Sequence, residues 1–536
     1  MERIRSSTDQ GYYLHHQAVV RESSLTTKLR VGFDVSAKTT TGISLNDILM
    51  VGPTIQNGIF TLILRFRQHP FVLSADIQKM YRQFWVHPED RKYQKILWRY
   101  STDEPLRTYQ LKTVTYGTSV APFLAVRCLK KLAEGEGSLF PIAAEALKNN
   151  FYVDDLLTGA GLVKDAEQLR DQLIRLANRG GLRLFKWISD SQEVINDLPD
   201  CSNQTSFKLD PDHATKTLGV PWNSQEDMLI FEVDSVPEQE LISKRVMLSQ
   251  IAKLYDPLGL LAPVIMYAKI KMQQLWKTTT KWDDLVPPEI LSPWRQYQKQ
   301  LHLLNHWKIP RAVQDPGADE LQLHGFADAS ERAYGACIYV RSTRGDEYHS
   351  TLLCAKSRVA PIKNLSMPRL ELCAAVLLAN LCKTVTNSFS LKFSKTGFWS
   401  DSTITLNRIS SSPHEYKTFD ANRIAEIQDL TPATNWKYVS SKENPADFVS
   451  RGQLPQEFIH NTLWKMKRKG TTVLTTFTGK HKFHLWTRFS SLPKLLRVTA
   501  YYFRFIQKLR KQACHLNSLS PDELRKALYH IMSAIQ

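Results

Sequence analysis

Two adjacent carboxylates, Asp154 and Asp155, lie inside an apolar, β-prone stretch, Phe151-Tyr-Val-Asp-Asp-Leu-Leu157. Folding alone disfavours such a pair, because like charges repel and burial raises the free energy of the charged forms. A tight hairpin could aim both carboxylates at a divalent cation, and Mg²⁺ takes oxygen ligands while keeping positions open for substrate phosphates. The flanks therefore favour a metal site, whereas an isolated Asp-Asp is ordinarily a solvated turn.

A third carboxylate is expected on a neighbouring strand. Asp76 is the candidate, because it lies near the end of the apolar run Phe71-Val-Leu-Ser-Ala-Asp-Ile77. Three such acids can hold two ions, one activating a primer 3′-hydroxyl and the other holding a triphosphate and its leaving pyrophosphate. The set Asp76, Asp154 and Asp155 thus predicts nucleotidyl transfer with two Mg²⁺ ions, or Mn²⁺ in their place.

A second series of acids begins after residue 320. Asp328 ends a run that alternates apolar and polar residues, which predicts a strand, and Asp401 ends another strand-like run. Glu371 lies in an Ala- and Leu-rich helix opened by proline, and Asp447 lies where a turn leads into a helix. Each acid alone is ordinarily a turn or cap residue. Together, the four can converge on two metal ions and cut a phosphodiester with activated water.

The motifs resemble the reverse transcriptases of BEL/Pao LTR retrotransposons, from about Gly11 to the C-terminus. They occur in the family's order: Lys28-Leu-Arg-Val-Gly-Phe-Asp34, Asp76-Ile-Gln-Lys-Met-Tyr81, Tyr116-Gly117 with Ala121-Pro-Phe123, Tyr152-Val-Asp-Asp155, Gly180-Gly-Leu-Arg-Leu-Phe-Lys-Trp187, Leu218-Gly-Val-Pro-Trp222 and, the most Pao-like, Lys253-Leu-Tyr-Asp-Pro-Leu-Gly-Leu-Leu-Ala-Pro263. The resemblance implies an α/β (α+β) fold: a right-hand polymerase palm and fingers, a helical thumb or connection, an RNase H-like α/β domain and a basic helical tail.

The resemblance also assigns roles to single residues. Arg30 matches the arginine along the incoming triphosphate, and Lys28 adds charge nearby. Tyr81 matches the aromatic gate against a ribose 2′-hydroxyl, and Gly117 lets the backbone approach the nucleotide. Lys186 resembles a general acid near the pyrophosphate, and Leu218-Gly219 looks like the primer grip. Many retroviral enzymes have Gln where this chain has Tyr116. Taken singly, the cations could be surface residues and Tyr81 could belong to the core.

The acids Asp328, Glu371, Asp401 and Asp447 are similar, in order and local context, to those of the RNase H fold, with a second pair of Mg²⁺ ions. Retroviral RNases H carry a mobile histidine near the position of Val439–Glu443, and this chain has none there. Product release is the step that this departure would affect.

We divide the chain into residues 1–230 as fingers and palm, 231–320 as thumb and connection, 321–455 as the RNase H-like domain and 456–536 as a basic helical linker, with a polar linker at 308–320. The stretch before residue 28 is short for complete fingers, so we expect a truncated N-terminus. No integrase core follows, and no Asp-Ser-Gly or Asp-Thr-Gly protease signature is present.

Composition fits a nucleic-acid enzyme inside the cell. The 536 residues carry a formal net charge of +18, which suits a polyanionic partner. Seven cysteines without a CxxC pair, and an N-terminus without a signal-peptide core, predict a reducing compartment. We expect no membrane association, and a site in cytoplasmic virus-like particles or the nucleus. His302 and His306 have helical spacing but lack a third ligand, so an exposed helix face is the better interpretation.

The predicted partners are an RNA template, a DNA primer, RNA–DNA hybrid and dNTPs, with homodimerisation or pairing with other Pol products. Two alternatives stay open. The chain could be a catalytically silent or host-adopted nucleic-acid-binding remnant, or a structural subunit that pairs with a full-length copy.

Overall fold

The computed structural model describes residues 1–4, 11–20, 28–198, 215–233, 241–314, 317–345, 347–465, 491–509 and 519–535. The chain divides into two compact units, Met1–Gly470 and Thr471–Gln536.

The first unit combines strands and helices. Its strands are β1 (Glu2–Arg3), β2 (His15–Val20), β3 (Leu29–Asp34), β4 (Phe71–Ile77), β5 (Lys95–Trp98), β6 (Arg107–Gln110), β7 (Phe151–Tyr152), β8 (Asp155–Ala160), β9 (Leu184–Ser189), β10 (Thr215–Thr217), β11 (Val220–Asn223), β12 (Met228–Ile230), β13 (Lys308–Pro310), β14 (Glu320–Ala329), β15 (Ala333–Arg344), β16 (Glu347–Val359), β17 (Lys395–Ser400) and β18 (Trp436–Tyr438). Its helices are α1 (Leu45–Ile48), α2 (Ile59–Gln68), α3 (Ala121–Glu136), α4 (Pro141–Asn149), α5 (Val163–Arg179), α6 (Lys244–Lys253), α7 (Ala262–Trp276), α8 (Pro288–Gln300), α9 (Met367–Ser388), α10 (Thr403–Ser410), α11 (Thr418–Leu430), α12 (Ala446–Arg451), α13 (Pro455–Ile459) and α14 (Thr462–Lys465).

An antiparallel sheet of order β7-β8-β4-β9 carries the first group of acids. Its strands are rich in Val, Leu and Ile, and the residues between Phe71 and Asp76 are buried. Helix α5 covers the sheet with the buried stripe Ala166, Leu169 and Leu173, at the three- and four-residue spacing of a helix face. This packing fixes the two central strands, β4 and β8.

A small sheet of order β10-β11-β12-β13 corrects the expected linker. Lys308–Pro310 forms β13 and pairs with β12, and Arg311 is fully buried, so the prediction of a polar linker is wrong at its start. The guanidinium of Arg311 donates to the carbonyls of Phe66 and His69, and it pairs with Asp227 at 2.6 Å. Buried charge of this kind needs such partners, and local sequence does not reveal them.

Arg67 is a second fully buried arginine, on α2. Its guanidinium donates to the carbonyls of Pro310, Arg311 and Leu353, at 3.0, 3.0 and 2.6 Å. Burial lowers the pKa of Arg67. Since Leu353 belongs to β16, this side chain ties the region of the first sheet to the second large sheet.

The second large sheet has the order β16-β15-β14-β17-β18, with β14, β17 and β18 parallel and the other pairs antiparallel. Helix α9 crosses it, and Gly325 leaves room for Leu378, which a Cβ would meet at 2.5 Å. Among the helices that the structure describes, α9 alone is long and apolar enough to cross a membrane, by length and composition only. Its packing on β14 and β15 is that of a core helix.

The second unit contains two helices, α15 (Leu492–Leu509) and α16 (Pro521–Ile535), which pack on each other. Ser520 caps α16, because its hydroxyl accepts from the Glu523 amide at 3.3 Å and the Glu523 carboxylate accepts from the Ser520 amide at 2.7 Å.

Candidate active sites

Asp76 and Asp155 are direct partners across the antiparallel strands β4 and β8. Asp154 lies beside them in the tight turn between β7 and β8, where Tyr152 pairs with Asp155. The turn is fixed to β4 because the Ile77 amide donates to the Asp154 carbonyl at 3.0 Å. The structure thus brings together the three acids of the first predicted set.

The turn has an unusual backbone at Val153, whose φ is 55°. A β-branched residue in this left-handed region is strained, so the surroundings must hold it there. The Gln56 side chain does so, since its Oε1 accepts from the Val153 amide at 3.1 Å. Gln56 supports the hairpin from outside the sheet.

The three carboxylates perturb one another. Burial, a hydrogen bond with Asp76 and the charges of Asp76 and Asp154 raise the pKa of Asp155 to about 7. Burial also raises the pKa of Asp154. Lys186 opposes the crowding of negative charge, because its Nζ lies 2.6 Å from Asp76 Oδ2. The predicted general acid is therefore in contact with the site.

Tyr81 follows β4 in a 3₁₀ turn, Met80–Gln83, and packs against the core of the first sheet. Burial, and then the charge of Asp154, raises the pKa of its phenol. The charge of Asp154 therefore acts on the ring that the resemblance predicts to be an aromatic gate.

Gly117 lies against β3. Its φ is +95°, and a Cβ would stand 2.7 Å from the Phe33 carbonyl oxygen, so only glycine fits without displacement. Asn46 holds this loop, because its amide donates to the Gly117 carbonyl at 3.0 Å and its Oδ1 accepts from the Ser119 amide at 2.8 Å. The Tyr116 ring meets Phe33 edge-on, with centroids 5.3 Å apart.

Lys28 and Arg30 are exposed, with Arg30 on β3 itself. In the part of the chain that the structure describes, neither forms an ion pair with Asp76, Asp154 or Asp155. Arg30 lies on β3, the strand that supports Gly117, and Lys28 directly precedes that strand.

Leu218 and Gly219 form the two-residue turn between β10 and β11, with φ values of 51° and 81°. The ring of Tyr255 covers this turn, because a Cβ on Gly219 would lie 3.0 Å from the ring carbon Cε1. Burial, and then the nearby phenol of Tyr152, raises the pKa of Tyr255. The ring of Tyr255 therefore packs on the predicted primer grip.

The second set of acids gathers where the parallel strands β14 and β17 of the five-stranded sheet end. Asp328 is in β14 and Asp401 directly follows β17, and these strands are parallel neighbours in which Ala327 pairs with Ser400. Glu371 projects from α9 and Asp447 from α12. Burial and the charges of Asp401 and Asp447 raise the pKa of Asp328 to about 8.

Hydroxyl and amide groups hold these four acids in place. Ser450 donates to Asp328, Ser402 to Glu371, and Ser441 to Asp401, while the Asn444 amide donates to the Ala327 carbonyl at 3.1 Å and lies 3.5 Å from Asp401. Arg451 forms an ion pair with Asp447. Burial raises the pKa of Glu371, and Ser402 opposes that rise.

Carboxylate oxygens are the donors that Mg²⁺ prefers, and each set offers at least three. As the side chains lie, however, no three His, Cys, Asp or Glu residues within the described ranges form a group that could hold an ion. Lys186 and Arg451 instead contact one carboxylate of each set. The donor chemistry suits Mg²⁺, and these cations must move for an ion to bind. His302 and His306 lie exposed in the 3₁₀ turn Leu301–His306.

Sequence reasoning missed the residues that support the acids: Gln56, Asn46, Tyr255, Ser402, Ser441, Asn444 and Ser450. One of them had a signal. Ser402 follows Asp401 and precedes a helix, which is the pattern of an N-cap, and its hydroxyl does accept from the Thr405 amide at 3.1 Å. The others act across long stretches of chain, and nothing local marks them.

Comparison with solved structures shows the fold. A foamy viral protease-reverse transcriptase dRH in complex with ds DNA superposes with a TM-score of 0.52 at 11% identity, over 82% of this chain and 66% of that chain. The foamy viral protease-reverse transcriptase in complex with RNA/DNA hybrid gives a TM-score of 0.49 at 10% identity, over 81% and 51%. The chain thus spans about two thirds of the length of the first protein and about half the length of the second. The first likeness shows a mixed α/β fold of the reverse transcriptase kind.

Comparison of the sequence gives one family. No curated protein matches the chain in sequence. Residues 243–402 match the model of the Pao retrotransposon-like RNaseH-like domain. The match begins at α6, before the five-stranded sheet, and includes the segment from Lys253 to Pro263. The resemblance to a Pao-type retrotransposon Pol fragment is thereby confirmed over residues 243–402.

Proposed function

We propose that this chain is an RNA-directed DNA polymerase that also hydrolyses the RNA strand of RNA–DNA hybrids. The observation that carries the proposal is the direct pairing of Asp76 with Asp155 beside the Asp154 turn. Crowded acids at a strand edge cost free energy unless a cation offsets them, and nucleotidyl transfer is the chemistry that uses such a set.

Each site would hold two Mg²⁺ ions, or Mn²⁺ in their place. Asp76, Asp154 and Asp155 would be the ligands in the first site, and Asp328, Glu371, Asp401 and Asp447 in the second. When bound, the ions supply Lewis-acid activation of the attacking oxygen and neutralise the charge that develops on the phosphate. Lys186 would leave Asp76 as an ion enters, which frees its ammonium to give a proton to the departing pyrophosphate.

The remaining residues would position the nucleotide and the primer. Arg30 and Lys28 would draw the triphosphate to β3, and the Gly117 backbone would admit its close approach. The half-buried ring of Tyr81 would exclude a 2′-hydroxyl. The Leu218-Gly219 turn would contact the primer strand, as its resemblance to the primer grip implies, with the ring of Tyr255 packed on it.

The placement of Asp328 and Asp401 at the ends of neighbouring parallel strands supports the hydrolytic activity. Glu371 on α9 and Asp447 on α12 complete the set of acids. Ser441 donates to Asp401 from the stretch that lacks a histidine. We propose that this hydroxyl orients Asp401 during cleavage.

The substrates would be an RNA template with a DNA primer, dNTPs and the resulting hybrid. A net charge of +18 supports binding of these polyanions. The foamy viral reverse transcriptases are solved with ds DNA and with RNA/DNA hybrid. The resemblance favours an intracellular site of action, in cytoplasmic virus-like particles or the nucleus, and a homodimer or a complex with other Pol products.

Primer extension on poly(rA)/oligo(dT) with Mg²⁺ tests the polymerase, and cleavage of a labelled RNA–DNA hybrid tests the nuclease. We expect both activities in the same preparation. Asp154→Asn should remove only the first, and Asp328→Asn only the second. Tight hybrid binding without either reaction would favour the alternative of a catalytically silent nucleic-acid-binding protein.

A further inference from the structure

The segment Tyr255–Leu261 is seated on β16, an edge strand of the five-stranded sheet. The Ala355 amide donates to the Leu258 carbonyl at 2.8 Å, so the segment completes hydrogen bonding that an edge strand otherwise leaves open. Gly259, with φ +74°, lies so close to this strand that a Cβ would stand 2.0 Å from the Ala355 carbonyl oxygen.

Two further contacts fix the same segment. The Asp256 carboxylate accepts from the amides of Leu260 and Leu261, at 2.8 and 2.6 Å. The indole of Trp464, itself fully buried, donates to the Leu260 carbonyl at 2.9 Å. The backbone that follows Tyr255 is therefore held from two sides.

Tyr255 itself reaches in the other direction. Its ring lies on Gly219, 3.0 Å from where a Cβ on that residue would stand, and the side chain is 44% exposed. One short segment thus contacts the Leu218-Gly219 turn through Tyr255 and the five-stranded sheet through Leu258 and Gly259.

We propose that Tyr255 is a positioning residue of the first active site, which holds the Leu218-Gly219 turn in place, and that β16 fixes the segment that carries Tyr255. The inference rests on the proposed function, because the turn matters to catalysis only if a primer end lies there. It makes the five-stranded sheet a structural part of the polymerase site, in addition to its own hydrolytic chemistry.

Hydrogen exchange and primer extension on the full chain test the proposal together. Tyr255→Ala removes the ring, and we expect amide exchange in residues 217–221 to rise at least about threefold. Since a small misplacement of reacting groups costs rate, kcat for extension should fall about ten- to a hundredfold, with little change in KM for dNTP. Tyr255→Phe retains the ring and should rescue both readouts. Hybrid cleavage should stay within about twofold, because the second site is not touched.

Gly259→Ala tests the role of β16, because its Cβ cannot fit against Ala355. It should reproduce the faster exchange of residues 217–221 with Tyr255 intact. Should this variant fail to fold, Trp464→Phe, which removes the indole hydrogen bond to Leu260 and part of the buried ring, should give a smaller rise. The matched control is Tyr529→Ala, an exposed tyrosine in the second unit, which should change neither readout.

The outcomes separate the alternatives. Unchanged exchange and unchanged kcat in Tyr255→Ala would overturn the proposal, and so would a parallel loss of both activities with a lower melting temperature. Faster exchange of residues 217–221 in Tyr255→Ala, with unchanged exchange in both Gly259→Ala and Trp464→Phe, would overturn the role of β16. If the unmodified protein extends no primer, the proposed function fails, and the exchange data alone decide whether Tyr255 holds the turn.

Discussion

Asp76 and Asp155 face each other across two adjacent antiparallel strands, and burial together with this approach raises the pKa of Asp155 to about 7. In the second site, burial and then the charges of Asp401 and Asp447 raise the pKa of Asp328 to about 8. Both sites therefore hold a proton at a pH where an ordinary aspartate, with a pKa of about 3.9, has lost it.

This relationship predicts how stability depends on pH without divalent ions. At Asp155 and Asp328 the folded chain binds more protons than the unfolded chain between about pH 4 and pH 8, so the contribution of these two groups to stability decreases as the pH rises to 8. Thermal unfolding in EDTA should show this decline, and added Mg²⁺ should raise the melting temperature more at pH 8 than at pH 6. Asp155→Asn and Asp328→Asn should each flatten the decline. The same slope in both variants and the parent would show that the acids are not crowded.

Asp154→Asn should abolish primer extension while hybrid cleavage persists. The change removes a charge from the turn between β7 and β8 but leaves the second set of acids intact. We expect a loss of more than about a hundredfold, beyond the effect of removing a group that only supports a metal ligand. The control Asp165→Asn alters an exposed acid on α5 and should extend primers normally. Extension at the parental rate by Asp154→Asn would remove Asp154 from the site.

Tyr81→Ala should admit ribonucleotides. The Tyr81 ring is within reach of the charge of Asp154. Removal of the ring would open space where a ribose 2′-hydroxyl would otherwise collide. We expect the preference for dNTPs over rNTPs, measured as a ratio of kcat/KM, to fall by about tenfold or more. Tyr81→Phe keeps the ring and should keep the preference. If the alanine variant selects as well as the parent, Tyr81 is a core residue only.

Glu371→Gln should lower hybrid cleavage by about a hundredfold or more, because the amide cannot offset the charge of two Mg²⁺ ions. DNA synthesis and hybrid binding should continue, since binding depends mainly on Lys and Arg contacts to phosphates. Cleavage and affinity are measured on one preparation, with Glu415→Gln, an exposed acid, as the control. If Glu371 only stabilises the start of α9, cleavage will stay normal and the melting temperature will fall slightly.

Arg311→Leu should destabilise the whole first unit by about 3–5 kcal/mol, because it leaves the half-buried Asp227 and Asp190 without their cation. Chemical denaturation measures the loss, and both activities should fall together. Arg245→Leu is the matched control, since it removes an arginine from an exposed pair with Asp283 and should change the free energy of unfolding far less than Arg311→Leu. Equal effects of the two changes would contradict the buried role of Arg311.

The sequence predicts the acids and the elements that carry them. Phe71–Ile77 is a strand with Asp76 near its end, and Glu371 lies in a helix that begins at Met367, as the patterns indicate. These predictions succeed because hydrophobic period and proline placement are local properties. The opposition of Asp76 and Asp155 follows from strand register, which depends on pairing between distant segments.

The supporting residues could not be predicted in the same way. Arg311 lies in a stretch rich in Pro, Asp and Gly that has the composition of a linker, yet its surroundings bury it completely. Ser450 and Asp328 are 122 residues apart in the chain, and their contact exists only after the sheet and α12 have packed. Composition describes the solvent preference of a residue, whereas these roles depend on which carbonyls and carboxylates the fold brings to it.

The buried guanidinium of Arg67 has a consequence for how the chain can be divided. Its three carbonyl acceptors come from residues 310, 311 and 353, so a fragment that ends before them would carry a charged side chain with no acceptor in a closed interior. Separately produced halves should therefore be poorly soluble alone and should recover by reassembling as a noncovalent pair. Division of the chain between residues 68 and 309 should then abolish both proposed activities together, and mixing the two halves should restore them.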